Sequence, residues 1–358
     1  MLVVVVGTPS PIALWTLHVV RVGMQVLFGD HRLLTSQSLE AFRRDRQGSS
    51  TDCTVLYTTS PTLGLARLLA RAKAPIIAAV DDPRDVVSFR VSAEGLPIQQ
   101  ALRDYTRSVA ILDFFSSVPT STRVESSAYS KPFRTFLIEL VNSCRLDIGM
   151  ELREAVIAAV TGTPSGGDDI SVGDLVARDV PGADRPGECS ALDARSKSLV
   201  EDIGRQYEAM PHGGDRATVA CPLMLYIADN QIRYEPEHPW LSMVGPARCI
   251  LWGPYIHLPR GKWSAQVTFA VRGNISGNVL RIQVLRELSE CATAVAKLAD
   301  FGVFACELGF EIDDPLDRIE VTFALQEGAI EGEFRLVSLT FSRGSTGRQN
   351  IAPRSTAV

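Results

Sequence analysis

Residues 81–88 carry the side chains of this sequence that are best placed to do chemistry. The segment holds three carboxylates, a guanidinium and a hydroxyl, in the order Asp81-Asp82-Pro83-Arg84-Asp85-Val86-Val87-Ser88. It follows an apolar run, residues 74–80, that predicts a buried strand, and it leads into a predicted helix. In an open α/β sheet, ligands bind just outside the carboxyl ends of the strands. Arg84 and Ser88 are therefore candidates for binding the anionic group of a ligand.

A second polar stretch, residues 7–15, follows the first apolar run of the chain. It reads Gly7-Thr8-Pro9-Ser10-Pro11-Ile12-Ala13-Leu14-Trp15. A loop between a strand and a helix can bind phosphate through its backbone amides and the helix N-terminus. Ser10 is the candidate here, although the loop has no basic side chain and Pro11 has no amide hydrogen to donate.

The elements that must position these two segments alternate between strands and helices. Short apolar runs predict strands at residues 2–6, 54–59, 76–80 and 123–127, and helical patterns cover residues 14–22, 62–72, 98–115 and 131–146. This alternation predicts βαβ units. We therefore expect an α/β domain with a doubly wound parallel sheet over residues 1–160.

Together, the two segments resemble those of sulfotransferases that use PAPS (3′-phosphoadenosine-5′-phosphosulfate). In that family a loop of the form Pro-Arg/Lys-Ser-Gly-Thr-Thr holds the 5′-phosphosulfate. A segment of the form Arg-Asp-Pro-Arg-Asp-Val, followed by Ser, contacts the 3′-phosphate. Pro9, Trp15 and residues 83–86 match this pattern. The resemblance implies a P-loop-like, sulfotransferase-like fold, with Ser10, Arg84 and Ser88 as vestiges of the cofactor site.

The sequence departs from the family pattern where the phosphates would bind. Ser10 replaces the basic residue of the first loop, Ile12 replaces its glycine, and Asp81 replaces the arginine that meets the 3′-phosphate. A carboxylate beside a phosphate costs on the order of 1 to 4 kcal/mol at intermediate dielectric. The resemblance therefore implies no bound cofactor and no catalytic residue. PAPS would be the cofactor if the site were divergent but active.

Simpler roles account for some of the same residues. Asp82 or Asp85 could cap the helix that Pro83 begins, or interact favourably with its dipole. His18 lies in an apolar helical run and His31 in a predicted turn, which favours structural roles for both over general-base catalysis.

From residue 231 the hydrophobic period changes from that of a helix to that of a strand. Apolar and polar residues alternate along residues 263–271, 304–312, 319–325 and 335–341, with turn signals between them. This pattern predicts an all-β antiparallel sandwich, jelly-roll-like, over residues 231–345. Residues 161–230 are predicted to be a linker and a closing helix, and residues 346–358 a disordered tail.

Aromatic residues are concentrated where the sandwich begins. The segment 251–263 resembles the Gly-Pro-Tyr-Ile-x-Leu-Pro-x-Gly-x-Tyr segment of carbohydrate-binding-like modules in bacterial glycan-related proteins. Aromatic faces stack on sugars while polar groups bond to hydroxyls. Four residues are therefore candidates for binding a glycan or a partner: Trp240, Trp252, Tyr255 and His238. Alternation favours core packing for Trp263, and core packing stays open for Trp240 and Tyr255.

Composition and charge exclude several functions. A chain of 358 residues suits two domains, and its net charge of −5 lacks the basic footprint of a nucleic-acid-binding protein. The seven cysteines form no CxxC pair or Cys/His cluster, which predicts reduced thiols in the cytoplasm and no metal site. Gly7, Pro9 and Pro11 break the apolar N-terminal stretch, so we expect neither a signal peptide nor membrane insertion.

The sequence as a whole predicts a pseudoenzyme, a sulfotransferase-like scaffold or assembly protein of bacterial exopolysaccharide biosynthesis. Its expected partners are a polysaccharide or polysaccharide-synthesis proteins, bound through the sandwich, and a homo-oligomer is compatible with this prediction. The alternative is an active PAPS-dependent carbohydrate sulfotransferase.

Overall fold

The structure, a computed structural model, describes residues 1–47, 53–146, 148–163, 167–210, 217–229, 240–344 and 350–353. The chain divides into two compact units, Met1–Gly204 and Arg205–Val358, which we call unit 1 and unit 2.

Unit 1 contains a five-stranded parallel sheet flanked by helices. Its strands are β1 Leu2–Val6, β2 Arg32–Thr35, β3 Thr54–Thr58, β4 Ile76–Val80 and β5 Ser121–Glu125, in the order β2-β3-β1-β4-β5. Every neighbouring pair is parallel, which confirms the predicted α/β class. Strand β2 was not predicted from the sequence, because this edge strand buries a single residue, Leu34, and so has no apolar run.

The helices of unit 1 follow the strands in alternation. The described α-helices are α1 Pro11–Phe28, α2 Leu39–Arg46, α3 Leu63–Arg71, α4 Pro83–Glu94, α5 Ile98–Ser116, α6 Phe133–Ser143, α7 Met150–Thr161, α8 Val172–Asp179 and α9 Ala194–Ala209. A 3-10 turn, Ser126–Ser130, follows β5. Among the described helices, α1 has the length and hydropathy of a membrane span, and it also buries Trp15 and Val19 in the core of the unit.

The core of unit 1 forms between β1 and the helices that pack on it. Val4, Val5 and Val6 of β1 are buried, as expected for a central parallel strand covered on both faces. The ring of Trp15 packs against Phe133 and Phe136, with centroid distances of 5.7 Å and 5.4 Å. Segment 161–230, predicted to be a linker and closing helix, contributes α8 and most of α9 to unit 1.

Unit 2 contains two antiparallel sheets, consistent with the predicted β-sandwich. One sheet has the order β16-β13-β10-β15-β6, with β8 also paired to β15, and the other has the order β12-β11-β14-β9-β7. The strands are β6 Thr218–Ala220, β7 Ile227–Ala228, β8 Leu241–Ser242, β9 Arg248–His257, β10 Gly261–Arg272, β11 Val279–Arg286, β12 Ser289–Lys297, β13 Gly302–Ile312, β14 Arg318–Leu325, β15 Glu333–Arg343 and β16 Asn350–Pro353.

The core of unit 2 is aromatic and lies between the two sheets. Phe334 of β15 stacks on Phe269 of β10 at 5.6 Å and meets Phe323 of the other sheet at 5.3 Å. Trp263 is fully buried, as its place in the alternating pattern predicts.

The C-terminal tail differs from the prediction of disorder at residues 350–353. These residues form β16, which pairs with residues 304–306 of β13. Without β16, this edge of β13 would leave its backbone hydrogen-bonding groups unpaired, and an added strand satisfies them.

Candidate functional site

The first candidate site lies at the carboxyl edge of the parallel sheet in unit 1. Gly7 follows β1 and passes so close to β4 that a Cβ atom there would lie 2.4 Å from the carbonyl oxygen of Ala79. Ser10 then caps α1, because its hydroxyl accepts a hydrogen bond from the Ala13 amide at 3.3 Å. The first backbone amides of α1, which have no partner within the helix, therefore face the end of β4, and Asp81 is the residue that follows this strand.

Asp81 occupies the anion-binding position at the N-terminus of α1. Its Oδ2 accepts hydrogen bonds from the Ile12 amide at 3.2 Å and from the Tyr129 hydroxyl at 2.8 Å. Its Oδ1 accepts a third from the Asp82 amide at 3.0 Å. Only 4% of Asp81 is exposed to solvent. A carboxylate of the chain itself thus takes the place that a bound phosphate would take at such a helix end.

Tyr129 reaches Asp81 because the sheet is parallel. It lies on the 3-10 turn after β5, and β5 is the neighbour of β4, so both strands end at the same edge. Burial and the Asp81 carboxylate both raise the pKa of Tyr129, so its hydroxyl stays protonated and donates. Tyr129 was not among the residues predicted from the sequence, because no local motif links it to a residue 48 positions earlier.

The environment of Asp81 favours its neutral form. Burial is the main cause, and with the nearby Asp85 carboxylate it raises the pKa of Asp81 to about 7. The hydrogen bonds from Tyr129, Ile12 and Ser10 lower the pKa and so oppose this effect. Burial of a charge outweighs a few hydrogen bonds when no cation is close enough to pair with it.

Arg84 is half-exposed and is held by carboxylates of the same unit. Its Nε and Nη2 donate to the two oxygens of Asp82, each at 3.0 Å, and its Nη1 donates to Glu201 of α9 at 3.1 Å. Asp82 is also the N-cap of α4, accepting a bond from the Arg84 amide at 2.8 Å. The capping role proposed for Asp82 is therefore confirmed.

Asp85 and Ser88 bind the loop between α8 and α9. Asp85 accepts hydrogen bonds from the Gly187 amide at 2.9 Å and from the Cys189 thiol at 3.3 Å. The Ser88 hydroxyl lies 3.5 Å from a carboxylate oxygen of Asp184 and is buried. Burial raises the pKa of Asp85, and burial with the Asp85 charge raises the pKa of Cys189 to about 12. The Cys189 thiol therefore stays protonated and serves as a donor rather than a nucleophile.

Helix α9 closes this side of the site by direct contact with α4. A Cβ atom at Gly204 would lie 2.2 Å from Cγ of Pro83, so α9 can pack this closely only because residue 204 is glycine. This contact was not predicted from the sequence; the local signal for it is a glycine inside an amphipathic helix, where glycine costs about 1 kcal/mol relative to alanine.

A polar cleft of about 230 Å³ lies beside β5 and α6. Its two cationic side chains are both paired, Arg123 with Glu125 at 3.1 Å and Lys131 with Glu139 at 2.6 Å. An anionic ligand there would have to compete with these carboxylates for each cation. No group of three His, Cys, Asp or Glu side chains is arranged to hold a metal ion in the described part of the chain.

The second candidate site comprises the aromatic residues of unit 2, which the structure divides between two sheets. Trp252 and Tyr255 lie on β9 and are half-buried. Trp240 precedes β8 in the other sheet, and the guanidinium of Arg272 stacks 4.1 Å from its ring centroid. His238 lies outside the described residues. From the sequence, these aromatics were grouped where the sandwich begins, since a local sequence pattern does not tell which sheet each segment joins.

Trp252 belongs to a row of side chains on the face of its sheet that is turned away from the core. In this row Gln283 of β11 pairs with Thr322 of β14, which pairs with Trp252. Their neighbours Leu251 and Phe323 point into the core. The Thr322 hydroxyl has no hydrogen-bond partner among the described residues.

Two further polar groups flank this row. On one side Glu290 accepts hydrogen bonds from Arg281, at 2.6 Å, and from Gln283. On the other side the Tyr255 hydroxyl donates to Glu320 at 3.1 Å, while burial raises the pKa of Glu320. The face therefore places an aromatic side chain beside several polar groups.

Comparisons with known proteins give structural neighbours for both units. No protein-family model matches the sequence, and a search of curated proteins gives no significant match. A mouse sulfotransferase crystallised with PAP is similar at 13% identity and a TM-score of 0.39, over 60% of this chain and 88% of that chain. The xylan-binding module CBM15 is similar at 11% identity and a TM-score of 0.28, over 36% of this chain and 98% of that chain.

A third neighbour is a Clostridium thermocellum xylanase fragment with CBM22-1 and GH10 modules, solved with xylohexaose. It is 12% identical, with a TM-score of 0.20, over 37% of this chain and 25% of that chain. The chain thus has sulfotransferase-like and carbohydrate-binding-like structural neighbours, and similarity at this level concerns architecture alone.

Proposed function

We propose that this chain is a non-catalytic, sulfotransferase-like scaffold or assembly protein of bacterial polysaccharide biosynthesis. In this proposal unit 1 binds no PAPS and transfers no sulfate. Unit 2 binds a glycan through the outward face of the sheet that contains Trp252, which we call the Trp252 face.

The observation that carries the non-catalytic part is the position of Asp81. A phosphate at the N-terminus of α1 would have to displace a carboxylate that already accepts hydrogen bonds from Ile12 and Tyr129. Arg84, the candidate cation in that segment, is engaged by Asp82 and Glu201. Sulfate transfer requires donors and positive charge aimed at the transferred group, since such electrostatic stabilisation is usually the largest catalytic contribution.

The glycan-binding part is supported by the Trp252 face. Trp252 offers an aromatic surface for the C–H face of a sugar ring, and Thr322 and Gln283 lie beside it in register. The Thr322 hydroxyl is buried, so half-buried Gln283 and exposed Glu290 supply the polar groups beside the ring that a sugar would contact. By contrast, the ring of Trp240 is covered by Arg272 at 4.1 Å, which leaves it less surface for stacking.

Titration calorimetry of the full chain with adenosine 3′,5′-bisphosphate tests the non-catalytic part. We expect no heat of binding at millimolar nucleotide. Micromolar binding that Arg84→Ala abolishes would overturn the proposal and favour the alternative, an active PAPS-dependent carbohydrate sulfotransferase.

Affinity electrophoresis in gels that contain bacterial exopolysaccharides or xylan tests the glycan-binding part. We expect the full chain to be retarded by at least one of these polymers. Trp252→Ala should weaken that binding about fivefold, because ring stacking contributes about 1 kcal/mol beyond the buried area. Trp240→Ala is the matched control and should bind like the unaltered chain. The reverse ranking of the two variants, or no retardation by any polymer, would contradict this part.

A further inference from the structure

Four loops at one end of unit 2 each expose a large apolar side chain. They lie where β9, β11, β13 and β15 begin, and we call them the four loop tips. Ile275 is 80% exposed, Phe301 73%, Ile330 83% and Val244 53%. Surface hydrophobic residues are common singly, but four on neighbouring loops at one end of the described part of unit 2 indicate an interaction surface.

Hydrogen bonds between the loops hold the four tips side by side. The Asn274 amide donates to the Asp300 carbonyl at 2.9 Å, which joins the tips of Ile275 and Phe301. The Ser276 amide and hydroxyl both donate to Glu331 at 2.7 Å, which joins the tips of Ile275 and Ile330.

The tip of Val244 is joined to the same group. Gly245 and Ala329 exchange two backbone hydrogen bonds, each 2.8 Å long, and Ala329 is the residue before Ile330. All four tips therefore belong to one hydrogen-bonded end of the sandwich.

Two buried asparagines stiffen this end. Asn274 is fully buried, and its side-chain amide donates to the carbonyls of Leu298 and Ala299 at 3.2 Å and 3.1 Å. Its side-chain oxygen accepts from the Asn278 amide at 3.1 Å. The loops are thus fixed from within, so their apolar side chains are presented outward by a rigid base.

The size and layout of this surface indicate what it contacts. Four such side chains expose roughly 450 Å² of apolar surface, whereas a stable protein–protein contact buries about 800 Å² on each partner. Polar groups such as Ser276, Asp300 and Glu331 lie between the tips, so a protein partner would need a separate pocket for each apolar side chain. The acyl chains and headgroups of a lipid bilayer can pack around isolated apolar side chains, and they need no preformed pockets to do so.

Charge and side-chain chemistry further restrict the type of molecule that the four loop tips can bind. Acidic Asp300, Glu327, Glu331 and Glu333 outnumber basic Arg272 and Lys297 around the tips, which disfavours an anionic lipid. Three of the four exposed side chains are aliphatic and have no ring face for a sugar. We propose that the four loop tips bind the interface of a zwitterionic lipid bilayer by shallow insertion, independently of the Trp252 face.

Flotation of the full chain with phosphatidylcholine vesicles tests this proposal. We expect the unaltered chain to float with the vesicles, and the triple variant Ile275→Ser, Phe301→Ser, Ile330→Ser to lose at least tenfold in partitioning. Leu288→Ser is the matched control. Leu288 is also 83% exposed, but it lies in the β11–β12 turn at the opposite end of the sheet, so this variant should float like the unaltered chain.

Separate results would overturn the proposal. Absence of flotation at millimolar lipid, or equal losses in the triple variant and in Leu288→Ser, would show that the tips do not bind membranes. Sedimentation velocity without lipid gives a further outcome. A dimer that the triple variant dissociates would mean that a second copy of the chain covers this end instead. Circular dichroism spectra are the check that each variant is folded. We expect all of them to fold, because the substituted side chains are exposed.

Discussion

Replacing Asp81 by asparagine should change how the stability of unit 1 depends on pH. Burial raises the pKa of Asp81 from its ordinary value of 3.8 to about 7. Between these two pH values the folded chain keeps a proton that the unfolded chain releases, so stability falls as the pH rises through this window. The Asp81→Asn variant has no carboxyl group to ionise and should lack this loss.

The size of the effect follows from the difference between the two pKa values. At about 1.36 kcal/mol per pKa unit, the ionisation of Asp81 lowers the unfolding free energy by about 4 kcal/mol between pH 4 and pH 8. In the Asp81→Asn variant, the nitrogen of the new side-chain amide could not accept the bond from the Asp82 amide, which costs about 1 kcal/mol at every pH. This second cost shifts the stability of the variant without changing its slope against pH.

Urea unfolding read by hydrogen-exchange mass spectrometry measures this slope in unit 1 alone, because peptides from β1 and β4 report on that unit. Tyr129→Phe provides a test in the opposite direction. The Tyr129 hydrogen bond lowers the pKa of Asp81, so its removal should raise that pKa and extend the loss of stability to higher pH. Parallel pH profiles for Asp81→Asn and the unaltered chain would refute the reasoning.

Three further substitutions test the packing around the candidate sites. Gly204→Ala should destabilise the contact between α9 and α4 by about 1–3 kcal/mol, because the new methyl group would lie 2.2 Å from Pro83. Faster hydrogen exchange in α4 measures this, and Gly64→Ala, with its nearest neighbour at 3.9 Å, should be neutral. Trp15→Ala should lower the urea-unfolding free energy of unit 1 by about 3–5 kcal/mol, since the indole is fully buried; an unchanged midpoint would contradict its place in the core. Asn274→Ala should cost about 1–3 kcal/mol and speed hydrogen exchange at residues 298–301, because the Leu298 and Ala299 carbonyls lose their donor; unchanged exchange there would argue against a rigid base under the loops.

The sequence by itself determined the two-part architecture, because the hydrophobic period is a local property. The uninterrupted apolar runs of β1 and β4 marked buried parallel strands, and the alternation around Trp263 marked a sandwich strand with that ring inward. The start of α4 at Pro83, capped by Asp82, was also a local signal, because it depends on residues adjacent in the chain.

Only the tertiary structure decided what these elements bring together. The bond from Ile12 to Asp81 spans 69 positions, and it exists because β1 and β4 are neighbours in the sheet. Likewise, Trp240 and Trp252 are close in sequence, but Trp252 lies on β9 whereas Trp240 precedes β8 of the other sheet. Strand order is set by the packing of the whole chain rather than by any local pattern. For that reason the sequence could name Asp81 as the unusual residue, and the fold alone showed that its carboxylate fills the N-terminus of α1.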